Sequence, residues 1–194
     1  MRIVYFITHP DVLINPAIPV PNWPLSPRGR ERMTRALASP WIGGIGAIWC
    51  STERKAREGA DIFAAHLKLP VHERADLGEN DRSATGYLPR EEFEAAANRF
   101  FAHPTQSIRG WETASDARDR IAGAIDHILS VSAQSAGDIA IVAHGGVGTL
   151  LLCHLREDAI SRAHDQPPNN GGNYFAFDAI TRRVRHGWRQ IDIY

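Results

Sequence analysis

The sequence predicts an α/β fold, a three-layer α/β/α sandwich around a mostly parallel central sheet. Two patterns predict it. Short continuous apolar runs at residues 3–7 and 139–143 have the composition of strands buried on both faces. Such runs alternate with longer segments whose apolar residues recur at helical spacing, and strands separated by helices join in parallel through right-handed crossovers. A third observation bears on function. The polar clusters Thr8-His9, Ser51-Thr52 and His144-Gly145 each fall where a strand ends. Open α/β sheets bind ligands outside the carboxyl ends of their strands.

In chain order, the first strand covers residues 3–7 and leads into a proline-rich loop over 15–24. Ser26-Pro27 reads as a helix start, with serine as cap and proline in the first turn, and this helix runs to about residue 38. A second strand over 45–50 precedes a helix over 54–67, marked by Ala56, Ala60, Ile62, Phe63 and Leu67. Val71-His72 suits a short edge strand, and residues 76–89 are rich in turn-forming types. Helices follow over 91–102 and 114–132, the second carrying the stripe Ile121, Ala124, Ile125, Ile128 and Leu129. After the turn at Gly137-Asp138 comes the strand over 139–143, then His144-Gly145-Gly146 opening a helix to residue 155. Strands over 174–178 and 183–193, the latter after a Gly/Asn loop at 169–173, suit a hairpin.

The 194 residues suit one domain over 1–194. The formal net charge is zero, which predicts neither a nucleic-acid nor an acidic-membrane partner. Cys50 and Cys153 lie in apolar surroundings and read as small buried residues, which fits the cytoplasm. Residues 1–7 are too short for a signal-peptide core, and no stretch approaches the ~20 apolar residues of a membrane span. The 22 basic residues include only two lysines, Lys55 and Lys68, so the chain places its cations almost entirely as arginine.

His9 and His144 each end a strand, and they converge if those strands are neighbours. Taken singly, His9 is better read as a residue that caps the turn before Pro10. Gly145-Gly146 after His144 lets an anion approach helix N–H groups closely. Two imidazoles, the Lys55 cation and helix N-termini make a phosphate-binding set. A metal site is less well supported, because no histidine has a ligand at zinc-like spacing.

The chain resembles the histidine phosphatase (phosphoglycerate mutase-like) superfamily over nearly its whole length. The family's strand ending in R-H-G, with Asn six residues after the histidine, is matched by Thr8-His9-Pro10 and Asn15. Leu25-Ser26-Pro27-Arg28-Gly29 fits its L-T/S-x-x-G helix start. The segment from Ser51 to Ala60 fits S-x-x-x-R-A-x-x-T-A with two changes. Leu77-Gly78-Glu79 fits the acid motif, Gly110-Trp111-Glu112 the G-E segment with one insertion, and Val142-Ala143-His144-Gly145-Gly146 the V-x-H-G-G motif.

The resemblance implies in-line attack by His9 on phosphorus to give a phosphohistidine. Glu79 would act as acid and then base, His144 as a stabiliser of developing charge, and Asn15 as a further phosphate contact. It implies no metal or organic cofactor. The substrate would be a small phosphorylated molecule or a phosphoprotein. The chain departs from the family where Thr8 replaces the first phosphate-binding arginine, Pro10 the glycine after the nucleophile, and Lys55 the second arginine. Arg54, Arg57 and Arg82 are candidates to supply a guanidinium instead. Three readings follow: a phosphatase; a weak or inactive member that binds a phosphorylated ligand or protein; and a mutase, disfavoured by the 32 residues between Glu79 and Glu112. Residues 82–111 are expected to cover the site and set specificity, with Phe93 and Phe100 as ordinary helix packing. Residues 169–173 suit another wall. A dimer is permitted.

Overall fold

The computed structural model describes residues 2–133 and 136–193. A six-stranded sheet runs in the order β3-β2-β4-β1-β5-β6. Its strands are β1 (Ile3–Thr8), β2 (Ile45–Ser51), β3 (Val71–Arg74), β4 (Asp138–Ala143), β5 (Asn173–Asp178) and β6 (Val184–Gln190). β1 to β4 are mutually parallel, whereas β5 runs antiparallel to both β1 and β6. Five helices flank the sheet: α1 (Pro27–Ala36), α2 (Arg54–Leu67), α3 (Arg90–Ala102), α4 (Ala114–Val131) and α5 (Gly145–Leu155). None of the described helices is long and apolar enough to cross a membrane.

Side-chain alternation along the strands divides the core into two faces. Val4, Phe6, Ile139, Ile141, Phe175 and Phe177 pack with α4 and α5 through Ile121, Ile125, Ile128, Val147 and Leu151. Ile7, Ile48, Ala140 and Val142 pack on the other face with Met33 and Ala36 of α1 and with Ala56, Ala60 and Phe63 of α2. α3, at the periphery, contributes to neither of these two core clusters. Its Phe100 and Phe101 join Ile108, Trp111, Ala114 and Leu150 in a third cluster, which forms a cap beside the carboxyl end of the sheet.

The predicted elements are present, with ends moved by a few residues. Ser26 caps α1 by accepting the Gly29 N–H at 3.0 Å, as its serine-proline start predicts. α4 is capped by Thr113, whose hydroxyl accepts from the Asp116 N–H. Gly137 carries the turn into β4 with φ of +80°, while Asp138 already belongs to the strand. The last strand ends at Gln190 rather than 193: Ile191 still donates its N–H to the Gly172 carbonyl, but Gly172 gives its own N–H to the His9 carbonyl, so the ladder closes there. Both cysteines are free and buried.

Candidate active site

Register places the two histidines. Thr8 pairs with Ala143 in the parallel β1–β4 ladder, so the next residues, His9 and His144, leave adjacent strands at the same level. The His9 N–H donates to the Ala143 carbonyl at 3.1 Å and holds the two ends together. The imidazole rings lie 5.2 Å apart, nearly edge to face. His9 Nδ1 lies 3.0 Å from the Pro10 carbonyl. A carbonyl only accepts, so Nδ1 carries the proton and Nε2 keeps its lone pair. The proline at position 10 therefore removes an N–H but leaves the carbonyl that orients the His9 ring. Behind the ring, the His9 carbonyl accepts from Gly172, and a Cβ on Gly171 would sit 2.2 Å from that oxygen.

His144 is fully buried, and neither ring nitrogen has an aligned hydrogen-bond partner among the described residues. Nε2 lies 3.3 Å from Glu53 Oε1. Burial lowers both histidines to about 4, His9 further through the Lys55 cation, with Glu53 opposing this in each case. Both are neutral imidazoles near neutral pH.

β2 ends beside β4, which brings Glu53 and Lys55 to the same place. Lys55 is buried; its ammonium pairs with Glu53 Oε2 and donates to the Val20 carbonyl at 3.0 Å. Glu53 Oε1 accepts the Glu79 N–H at 2.9 Å. Burial pushes the Glu53 carboxyl up, but His144 and Lys55 outweigh it and hold it well below the usual carboxylate range.

Glu79 lies across the start of α5. Its Oε2 accepts from Gly146 N–H at 3.0 Å and its Oε1 from Val147 N–H at 2.9 Å. A Cβ on Gly146 would stand 2.7 Å from the carboxylate, so any other residue there would displace the Glu79 side chain. The loop bearing Glu79 is clamped by Arg120, which donates to the carbonyls of Asp76, Gly78 and Glu79 at 2.9, 3.0 and 3.2 Å. Glu112 holds that guanidinium with both carboxylate oxygens and also accepts the Asp81 N–H. Glu112 of the Gly110-Trp111-Glu112 segment thus fixes the loop that bears Glu79.

In front of His9 opens a cleft of about 570 Å³. One wall is Glu79, Asn80 and Arg82; α3 and Trp111 supply a second, and Gln166 to Gly171 a third. The Arg82 guanidinium lies 5.0 Å over the Phe93 ring and 5.7 Å from that of Trp111. Among the described residues it has no carboxylate partner. Arg162, also at the cleft, is neutralised by Asp165 and Glu94. Among the described residues, no cluster of three or more His, Cys, Asp or Glu side chains is arranged to hold a metal ion.

The family model of the histidine phosphatase superfamily (branch 1) matches residues 7–187. The chain belongs to this superfamily. No curated protein matches its sequence. Solved structures of histidine phosphatase fold superpose over the entire chain. One is the complex of a mycobacterial glucosyl-3-phosphoglycerate phosphatase with inorganic phosphate, at 17% identity and TM-score 0.79, covering 100% of both chains. Bacillus stearothermophilus YhfR gives 19% identity and TM-score 0.75, and a putative α-ribazole-5′-P phosphatase of Escherichia coli 19% and 0.68; each covers 100% of this chain and 98% of its own.

Of the residues singled out from sequence in this member of the histidine phosphatase superfamily, His9, Glu79, Arg82 and Gly145 line the cleft, and the buried His144 ring lies 5.2 Å from that of His9. Five others are engaged elsewhere. The Thr8 hydroxyl is buried, donates to Gln166 Oε1 at 2.8 Å and accepts the Asn173 N–H. Asn15 Oδ1 accepts the Ala17 N–H within its own loop. Arg54 pairs with Glu58 outside the cleft, and Lys55 is held by Glu53. Arg57 pairs with Asp61 and Glu73 on the surface. Phe93 and Phe100 both pack in the α3 cluster and line the cleft, so packing and wall are one role here. Sequence reasoning missed Glu53, Asn80, Arg120 and Gln166. Only Glu53 carried a signal: an acid two residues before one of two lysines, at a strand end.

Proposed function

We propose that the chain is a phosphatase that cleaves a phosphomonoester through a phosphohistidine on His9. The convergence of His9 and His144 at 5.2 Å, with Glu79 on the adjoining helix start, carries this reading. His9 Nε2 attacks phosphorus, and the bond to the leaving oxygen breaks as Glu79 delivers a proton to it. Water then attacks the phosphohistidine with Glu79 as base, returning His9 and releasing phosphate. A neutral His9 with a fixed Nδ1–H suits the first step. His144 hydrogen-bonds a non-bridging oxygen, and Arg82 supplies the guanidinium that Thr8 and Lys55 do not. A cleft of this size suits a small phosphorylated molecule better than a folded phosphoprotein.

The measurement is phosphate release from a generic phosphomonoester together with acid-labile phosphate on the protein. Turnover and labelling are expected in the parent, with both abolished in His9→Ala. A second reading, a weak or inactive phosphate binder, draws support from Thr8 and Lys55 being engaged internally. A folded parent that binds phosphate yet never becomes labelled would establish it.

A further inference from the structure

The proposed chemistry needs a place for the phosphoryl oxygens beside His9, and the groups suited to hold them are already taken by a carboxylate. Glu53 pairs with the Lys55 ammonium, accepts the Glu79 N–H and touches His144 Nε2. An ammonium, a backbone N–H and an imidazole edge also describe a site for a tetrahedral oxyanion. Lys55 and Glu53 are both well buried, so neither is a surface pair that solvent rearranges freely. Glu53 gives its own helix no side-chain cap, although it stands at the N-cap of α2. Its side chain instead turns across to β4 and the acid loop.

We infer that Glu53 is a built-in occupant of the phosphoryl subsite, a carboxylate that an incoming phosphate must displace from Lys55 and His144. This rests on the proposed phosphatase reading and adds a determinant of affinity to it. Two anions do not share one cation at contact without cost, so Glu53 weakens phosphate binding in the resting protein. It also sets what enters: only a ligand whose remaining contacts, at Arg82 and along the cleft, offset the displacement. Free phosphate lacks those contacts and leaves readily, which favours product release.

The contrary role for Glu53 is support, as a carboxylate that orients His144 and stays in place during the reaction. The two roles give opposite signs. Glu53→Gln keeps the shape and removes the charge. Inorganic phosphate is titrated calorimetrically into the parent, Glu53→Gln, and Glu53→Gln combined with Lys55→Met, each checked for folding by thermal melt. Glu53→Gln is expected to tighten phosphate by on the order of 10- to 100-fold, the worth of a recovered charge-assisted contact. That gain should vanish when Lys55 is also replaced. Equal or weaker binding by folded Glu53→Gln overturns the inference. In the parent itself, the ¹³C resonance of the Glu53 side-chain carboxyl should move on saturation with phosphate; a stationary resonance at saturation overturns it as well, even if the variants fail to fold. Labelling of His9 separates the two failures. A labelled parent with unchanged Glu53→Gln affinity removes only the gate, whereas no labelling and no phosphate binding in any form removes the phosphatase reading with it.

Discussion

Two buried cations, Arg32 and Lys55, sit on either side of the loop that follows β1, and their surroundings differ in kind. Arg32 faces two carboxylates, Asp11 at 2.9 Å and Asp192 at 3.1 Å, and also donates to the carbonyls of Asn169 and Gly172. Its bond holds the Asp11 carboxyl below the usual range against the upward push of burial. Among the described residues, none of its partners hydrogen-bonds the His9 or His144 ring. Lys55 has one carboxylate, and that carboxylate is shared with His144 and with the loop of the proposed acid. A planar fork with its donors committed makes a scaffold. A point charge on a shared partner leaves an arrangement that an anion can rearrange.

The strongest way to break this comparison is Arg32→Met. It leaves the partly buried Asp192 without its cation and Asp11 with only the exposed Arg28 at 3.8 Å, and also frees the loop at 169–172 that packs on the His9 carbonyl. A loss of about 3–5 kcal/mol in urea unfolding is expected. A loss under about 1 kcal/mol would show that Arg32 is no more a scaffold than a surface arginine.

The difference between these two cations also marks what the sequence could disclose. Strand runs such as residues 3–7 and 139–143 were legible because burial on both faces demands continuous apolar residues. His9 and His144 were legible because both follow such runs, and the register then brought them together. Arg32 lies in the middle of a helix with its acids at positions 11 and 192, and no local pattern joins residues so far apart. Glu53 was passed over for a related reason: a side chain's direction at a strand end is decided by neighbouring strands. The clamp of Arg120 on the acid loop spans more than 40 residues and was equally silent.

Acid sharpens the comparison, since it acts on the Lys55 side. His144 is lowered from its ordinary value to about 4 by burial, so the unfolded chain binds its proton first. The folded state is therefore unpenalised above about pH 6.5; its disadvantage grows as pH falls and is complete below about 4, on the order of 3 kcal/mol. Glu53, held low, acts in the same direction but at lower pH: its contribution is intact above the ordinary carboxylate range and is lost only as pH falls below it. Chemical denaturation across this window is expected to show stability falling steadily from pH 6.5 to 4. His9, lowered to about 4 by the same burial, adds to the slope over the same window; His144→Asn should therefore remove only part of it, and an unchanged slope would place the acid sensitivity elsewhere.

The smallest effect on stability belongs to Arg82, and it separates scaffold from site most cleanly. Its guanidinium rests on Phe93 and Trp111 and forms no ion pair with the described residues, so Arg82→Ala removes only a partly exposed cation–π contact. A stability loss of no more than about 1 kcal/mol is expected. Binding is another matter. If Thr8 is spent on Gln166 and Lys55 on Glu53, Arg82 is the guanidinium left to face a phosphate in front of His9. Arg82→Ala should then weaken inorganic phosphate roughly tenfold or more, and Arg82→Lys should recover only part of this, since an ammonium offers no two-point fork. Unchanged phosphate affinity in Arg82→Ala would return the burden to Lys55, and with it require that Glu53 leave the subsite completely whenever phosphate is bound.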